Sequence, residues 1–136
     1  MNSLTLAILR CKNNMDTKFY ILDEEHRVVE VGDMTTWGEF FETIENRRVS
    51  YTKLAKTGYI VSTVFLGLDH NFSVTETGGD YQPLVFETMV FDKDRDEKGC
   101  FRYNTWSQAI QGHETVVEQF AQKLGLVETS TGETLN

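Results

Sequence analysis

Four ionisable residues, Asp69, His70, Glu87 and His113, stand on or beside apolar runs, where general acid–base catalysis would place them. Imidazole exchanges a proton near neutral pH, and a carboxylate next to it can orient the ring or take the proton. His70, His113 and Glu87 also make up the two-histidine, one-carboxylate set that holds a divalent ion on one face. No H-x-x-x-H or similar local spacing joins them, so the ligands would come from separate elements, and no metal is expected. Each residue also has a plain structural alternative. Asp69 can cap a turn, His113 can be a hydrogen-bonded core histidine, and Glu87 can pair with Arg102 across a hairpin. A second, overlapping set is His70, Arg102, Tyr103, Trp106 and His113. Its guanidinium and imidazole groups suit phosphate and its aromatic rings suit a base, which describes a pocket for a small nucleotide-like ligand.

Other motifs carry less. Cys100 could act as a nucleophile with His113 or His70, and Ser62 with either, but neither sits in a recognised elbow. Asp92, Asp94 and Asp96 have the alternate spacing of a calcium loop. Glu97 occupies the position of its glycine and Tyr103 that of its bidentate glutamate, so an EF-hand is excluded. Gly78-Gly79 belongs to no phosphate-loop pattern, and no cofactor is expected. Cys11 and Cys100 match no C-x-x-C spacing, which fits a reducing cytoplasm.

The elements that must position these groups follow from the apolar pattern. Lys18 to Val31 reads as a hairpin around Asp23-Glu24-Glu25-His26. Thr36-Trp37-Gly38-Glu39 is a capping box, and Trp37, Phe40, Phe41 and Ile44 at i, i+3, i+4 and i+7 predict a helix ending near Asn46. Val49 to Leu54, Gly58 to Leu68 and Leu84 to Phe91 are strand-rich, and the uncharged run from Tyr59 to Leu68 is expected to be a central strand buried on both faces. Asp69 to Gln82 is a long polar loop. The charged run Asp92 to Gly99 reads as a hairpin tip before a short strand, Cys100 to Tyr103. Pairing Phe91 with Cys100 would set Glu87 diagonal to Arg102 on one sheet face. Thr105-Trp106-Ser107-Gln108 is a second capping box, opening a helix whose apolar stripe includes His113 and which Gly125 closes. Each box follows a hairpin, a weak hint of a repeated ββα unit. The expectation is an α+β fold, an antiparallel sheet of about five or six strands with two helices packed on it. Residues 1–15 read as an extension, with Met15 a second candidate start, residues 16–126 as one domain, and residues 127–136 as a polar tail. One sheet face would be left partly uncovered, which makes a homodimer the expected assembly.

With 136 residues, thirteen basic against twenty-one acidic, the chain carries a net charge of -8. That charge argues against nucleic acid or anionic lipid as a partner, because such binding draws on Lys and Arg. The apolar run Leu4 to Leu9 is too short for an export signal or a membrane span. Asn71-Phe72-Ser73 matches a glycosylation acceptor only formally.

The strings VSTVFLGLDHNF (61–72), PLVFETMVF (83–91), RYNTW (102–106) and GHE (112–114) fall within residues 48 to 117. Over that stretch the sequence resembles a family of short proteins of unassigned function encoded in bacteriophage genomes and bacterial chromosomes. The resemblance implies a phage-type origin and carries no mechanism; small acidic accessory proteins of phage type commonly act by binding, so the expectation is a binding role in phage–host interaction, in the cytoplasm of the host bacterium. Its partner would be a host protein with a basic surface or a small nucleotide-like ligand. The alternative is a metal-assisted or acid/base hydrolase using Asp69, His70, Glu87 and His113.

Overall fold

A computed structural model of the chain describes residues 18–70 and 82–126. The proposed extension 1–15, Cys11, Asn71, the Gly78-Gly79 pair and the tail 127–136 lie outside the described residues. Strands β1 (Phe19–Leu22) and β2 (Val28–Val31) form a two-stranded antiparallel sheet. Helix α1 (Met34–Phe41) and the single turn α2 (Ile44–Arg47) follow. Strands β3 (Arg48–Lys53), β4 (Ile60–Phe65), β5 (Phe86–Phe91) and β6 (Glu97–Tyr103) make a four-stranded antiparallel sheet in sequence order. Helix α3 (Trp106–Lys123) closes the described chain. The fold is α+β as expected, with its six strands divided four and two. No helix among the described residues is long and apolar enough to cross a membrane.

The first helix begins earlier than the Thr36 box predicts. Asp33 is the N-cap, its carboxylate accepting the Thr36 N–H at 2.7 Å and the Thr36 hydroxyl at 2.9 Å. A carboxylate three residues upstream is the stronger cap, and it makes Thr36 a first-turn residue. The helix also stops at Phe41, not Asn46, and Ile44 falls on the separate turn α2. The second box behaves as read. Thr105 Oγ accepts from Gln108 N–H at 3.1 Å, while Gln108 Oε1 accepts the Asn104 N–H at 3.0 Å, one residue ahead of the cap. At the other end Gly125, at φ 73, closes a Schellman motif: Leu126 N–H donates to the Ala121 carbonyl and Gly125 N–H to that of Gln122.

Helices α1 and α3 pack on one face of the large sheet. Val61, Thr63, Phe65, Phe86, Thr88 and Val90 alternate toward them and are essentially sealed from solvent. Val61 and Val90 pack with Val116, Val117 and Phe120 of α3. Phe65 and Phe86 pack with Trp37 and Phe41 of α1, Ala109 of α3, and Tyr20 and Leu22 of the first hairpin. No described element covers the opposite face, where Tyr51, Ser62, Met89 and Cys100 form one cross-strand row. The central strand is therefore covered on one side, not two, and Ser62 sits on the uncovered side half-buried.

The two hairpin tips share one design. Asp23 opens the first, its Oδ1 accepting N–H groups of Glu25 and Arg27 at 2.9 Å. Asp92 opens the second in the same way, accepting from Asp94 and Asp96. These donors hold Asp23 below the usual carboxylate range. At Asp92 partial desolvation pushes upward, and the same N–H groups and the Lys98 ammonium outweigh it.

Candidate functional site

Helix α3 carries His113 over the middle of the sheet, where the ring is 3% exposed. Nδ1 meets Thr63 Oγ1 at 2.7 Å, Nε2 meets Thr52 Oγ1 at 2.8 Å, and Thr63 in turn bonds Thr88. In a neutral ring one nitrogen donates and the other accepts, so two hydroxyls satisfy both. Burial pushes the imidazole pKa below its ordinary value, and none of these contacts is a carboxylate that would favour the cation. Thr63, a hydroxyl on a strand face sealed from solvent, thereby has partners on both sides. This histidine ties β3, β4 and β5 to the long helix and keeps neither nitrogen for a substrate.

Glu87 faces the other way. It pairs with Arg102 directly across the strands, not diagonally, because the hairpin register sets Phe91 against Glu97 and Met89 against Cys100. Arg102 Nε donates to Glu87 Oε2 at 3.0 Å, on the face that no described element covers. His113 and Glu87 are thus separated by the sheet itself, and so are His113 and Arg102. Period-two alternation decides this, since His113 bonds Thr63, Thr63 bonds Thr88 on the same sheet face, and Glu87 is the neighbour of Thr88. Cys100 lies beside Glu87, at 3.5 Å, and burial together with that carboxylate pushes its thiol pKa up, against a nucleophilic role. Ser62 shares that face with Cys100, away from His113.

Asp69 and His70 fasten the chain as it leaves β4. Asp69 Oδ1 accepts the Leu84 N–H at 2.9 Å, His70 N–H donates to the Leu84 carbonyl, and His70 Nδ1 donates to the Leu68 carbonyl at 2.9 Å. Tyr103 packs against Gly112, where any side chain would collide with its ring. Among the described residues, no three His, Cys, Asp or Glu side chains are placed to hold a metal ion. The nucleotide-pocket set of His70, Arg102, Tyr103, Trp106 and His113 is likewise dispersed over both sheet faces.

Of that set Trp106 lines a hollow of about 640 Å³ between the first hairpin and the start of α3. Its ring lies parallel to His26, centroids 3.8 Å apart and planes 7° apart. Tyr20, Pro83, Asn104 and Ser107 contribute to the wall. The charges around it balance: Lys18 pairs with Glu30 at 3.8 Å and Arg27 with Glu25 at 3.0 Å. Asn104 anchors the floor by donating to the carbonyls of Gln82 and Pro83. Sequence reasoning passed over His26 as a mere turn residue. Its one visible signal was a histidine where a hairpin tip ordinarily places glycine or asparagine, and the structure holds it at φ 62.

The chain matches no described protein family, no curated protein and no solved structure.

Proposed function

We propose that this protein works by binding rather than catalysis, and that the hollow beside Trp106 takes a small planar heteroaromatic ligand of the nucleobase or nucleoside type. The carrying observation is the parallel His26–Trp106 stack at the wall of a 640 Å³ hollow. A flat ring can lie on the indole or replace the imidazole against it, gaining the stacking that such rings offer any base. The balanced charges favour an uncharged heterocycle over a polyphosphate there. The hydrolase alternative is weakened by the two engaged nitrogens of His113, the raised Cys100 thiol and the separation of Glu87 from His113.

The phage-type role, the host cytoplasm and a host protein as partner rest on the sequence resemblance of residues 48–117. A homodimer is proposed through the sheet face that no described helix covers, which exposes Tyr51 at 39%.

The test is to incubate the protein with a mixture of bases, nucleosides and nucleotides, isolate it, and denature it by heat. Release of an intact compound supports a binding role, and release of an altered one supports the hydrolase. Retention that survives replacement of Trp106 by alanine, or no retention at all, refutes the hollow as the site. Trp37 is buried with its N–H on the Gly67 carbonyl, so quenching of indole fluorescence by the ligand reports Trp106.

A further inference from the structure

At the other end of the large sheet, the β3–β4 turn and the β5–β6 turn enclose a second hollow of about 470 Å³. Lys53, Lys56, Lys93 and Arg95 line it, and no described carboxylate does, Asp94 and Asp96 of the same turn included. Among the described residues none of the four cations is ion-paired with an acidic residue, and neither are Arg47, Arg48 and Lys123, whereas Lys18, Arg27, Lys98 and Arg102 are; what sets the four apart is that they gather around one hollow. In a chain with eight more acidic than basic residues, four unpaired cations around one concavity stand out from chance surface charge.

The fold holds them together. Gly58, at φ 78, lets the first turn rest against the second so closely that a Cβ there would stand 2.6 Å from Lys93 Cβ. Lys56 and Arg95 both have φ 67, a left-handed conformation that costs a side-chain-bearing residue and persists where the surroundings enforce it. Like charges gathered in this way repel one another, and an anion placed among them relieves the repulsion.

We infer that this hollow binds a condensed phosphate, either inorganic or as the phosphate chain of a small metabolite. A single phosphate group carries about two negative charges near neutral pH, so four cations match a chain of phosphates better than one. The guanidinium of Arg95 can take two oxygens side by side, and the ammonium groups act as point charges on the rest. Size decides against nucleic acid. A small anion fits within the hollow that the four cations line, whereas a long one would extend past the screening length of about 8 Å over the acidic remainder of the surface. The site is separate from the Trp106 hollow and stands or falls without it.

Calorimetric titration with orthophosphate, pyrophosphate and tripolyphosphate at low salt tests the proposal. Tripolyphosphate should bind tightest, and raising ionic strength to about 0.5 M should weaken it strongly. The double variant Lys53→Gln, Lys93→Gln should bind it about tenfold more weakly while keeping the parent melting temperature. Trp106→Ala should bind it as the parent does. Three results overturn the inference: no saturable binding of any of the three, affinity that the double variant leaves unchanged, or binding confined to a single-stranded oligonucleotide. A nucleoside triphosphate and tripolyphosphate run side by side distinguish the metabolite from the inorganic chain.

Discussion

The two hollows sit at opposite ends of one sheet and are furnished in opposite ways. Near Phe86 and Tyr103 the wall is aromatic and its charges cancel in pairs; near Ile60 and Phe91 four cations stand unpaired. Gly58 lines the cationic hollow and rests against Lys93, while Gly67, also at positive φ, sits beneath Phe41 and Trp37 and accepts the N–H of Tyr20, whose side chain lines the aromatic one. One sheet can therefore carry two sites of different chemistry, because the loops at its two ends are built independently. His113 lies between them, bonding β3 and β4 to α3 directly and β5 through Thr63.

This contrast can be broken most severely at Gly67. A Cβ there would stand 2.3 Å from the Phe41 ring and 2.6 Å from Trp37 Nε1, so Gly67→Ala should destabilise by about 3 kcal/mol or more in denaturant unfolding. Gly58→Ala meets the more yielding Lys93 and should cost about 1–2 kcal/mol, while weakening tripolyphosphate binding. Equal losses at the two glycines would show that the ends are not independent.

Replacing His113 by alanine leaves a cavity and strips Thr63 and Thr52 of a partner, at a cost of about 2–4 kcal/mol. The pH dependence has a definite sign. Burial lowers the folded pKa of His113 below its ordinary value of 6.5, so the unfolded chain takes up the proton first. Its contribution to stability is therefore complete above about pH 6.5 and is lost as pH falls from there through the lowered folded value. Unfolding curves across pH 7 to 5 should show this decline, and His113→Gln should remove it. A decline equally steep in that variant would locate the titration elsewhere. The smallest effect on stability should come from Trp106→Leu, below about 1 kcal/mol because the ring is only half-buried, although it should abolish retention of a planar ligand.

Local signals carried most of the fold. Runs of strand-forming residues located β3 to β6 to within a few residues, and Thr105, Gln108 and Gly125 marked both ends of α3. The first helix misled because Thr36-Trp37-Gly38-Glu39 satisfies the box pattern while Asp33, three residues earlier, caps the Thr36 N–H and starts the helix there. Strand register was beyond reach. Cys100 pairs with Met89 and not with Phe91, a two-residue difference in register that makes the Glu87–Arg102 relation direct where a diagonal one was expected. The ion pair itself was foreseeable because a carboxylate amid an apolar strand needs a cation. The two hollows were not legible for a different reason. Each is assembled by turns distant in sequence, Asp23–Arg27 with Asn104–Ser107 in one case and Lys53–Ile60 with Lys93–Arg95 in the other. The charged run 92–99 looked like an ordinary solvated tip until its neighbour was known.

Among the described residues three side-chain-bearing positions have positive φ, His26, Lys56 and Arg95, and every one of them lines a hollow. Glycine would fit each bend without strain, so the substitution that most relaxes a turn also deletes a group facing the concavity. An engineer selecting for heat resistance alone would drift toward glycine at 26, 56 and 95 and erase both hollows' chemistry without any loss of fold.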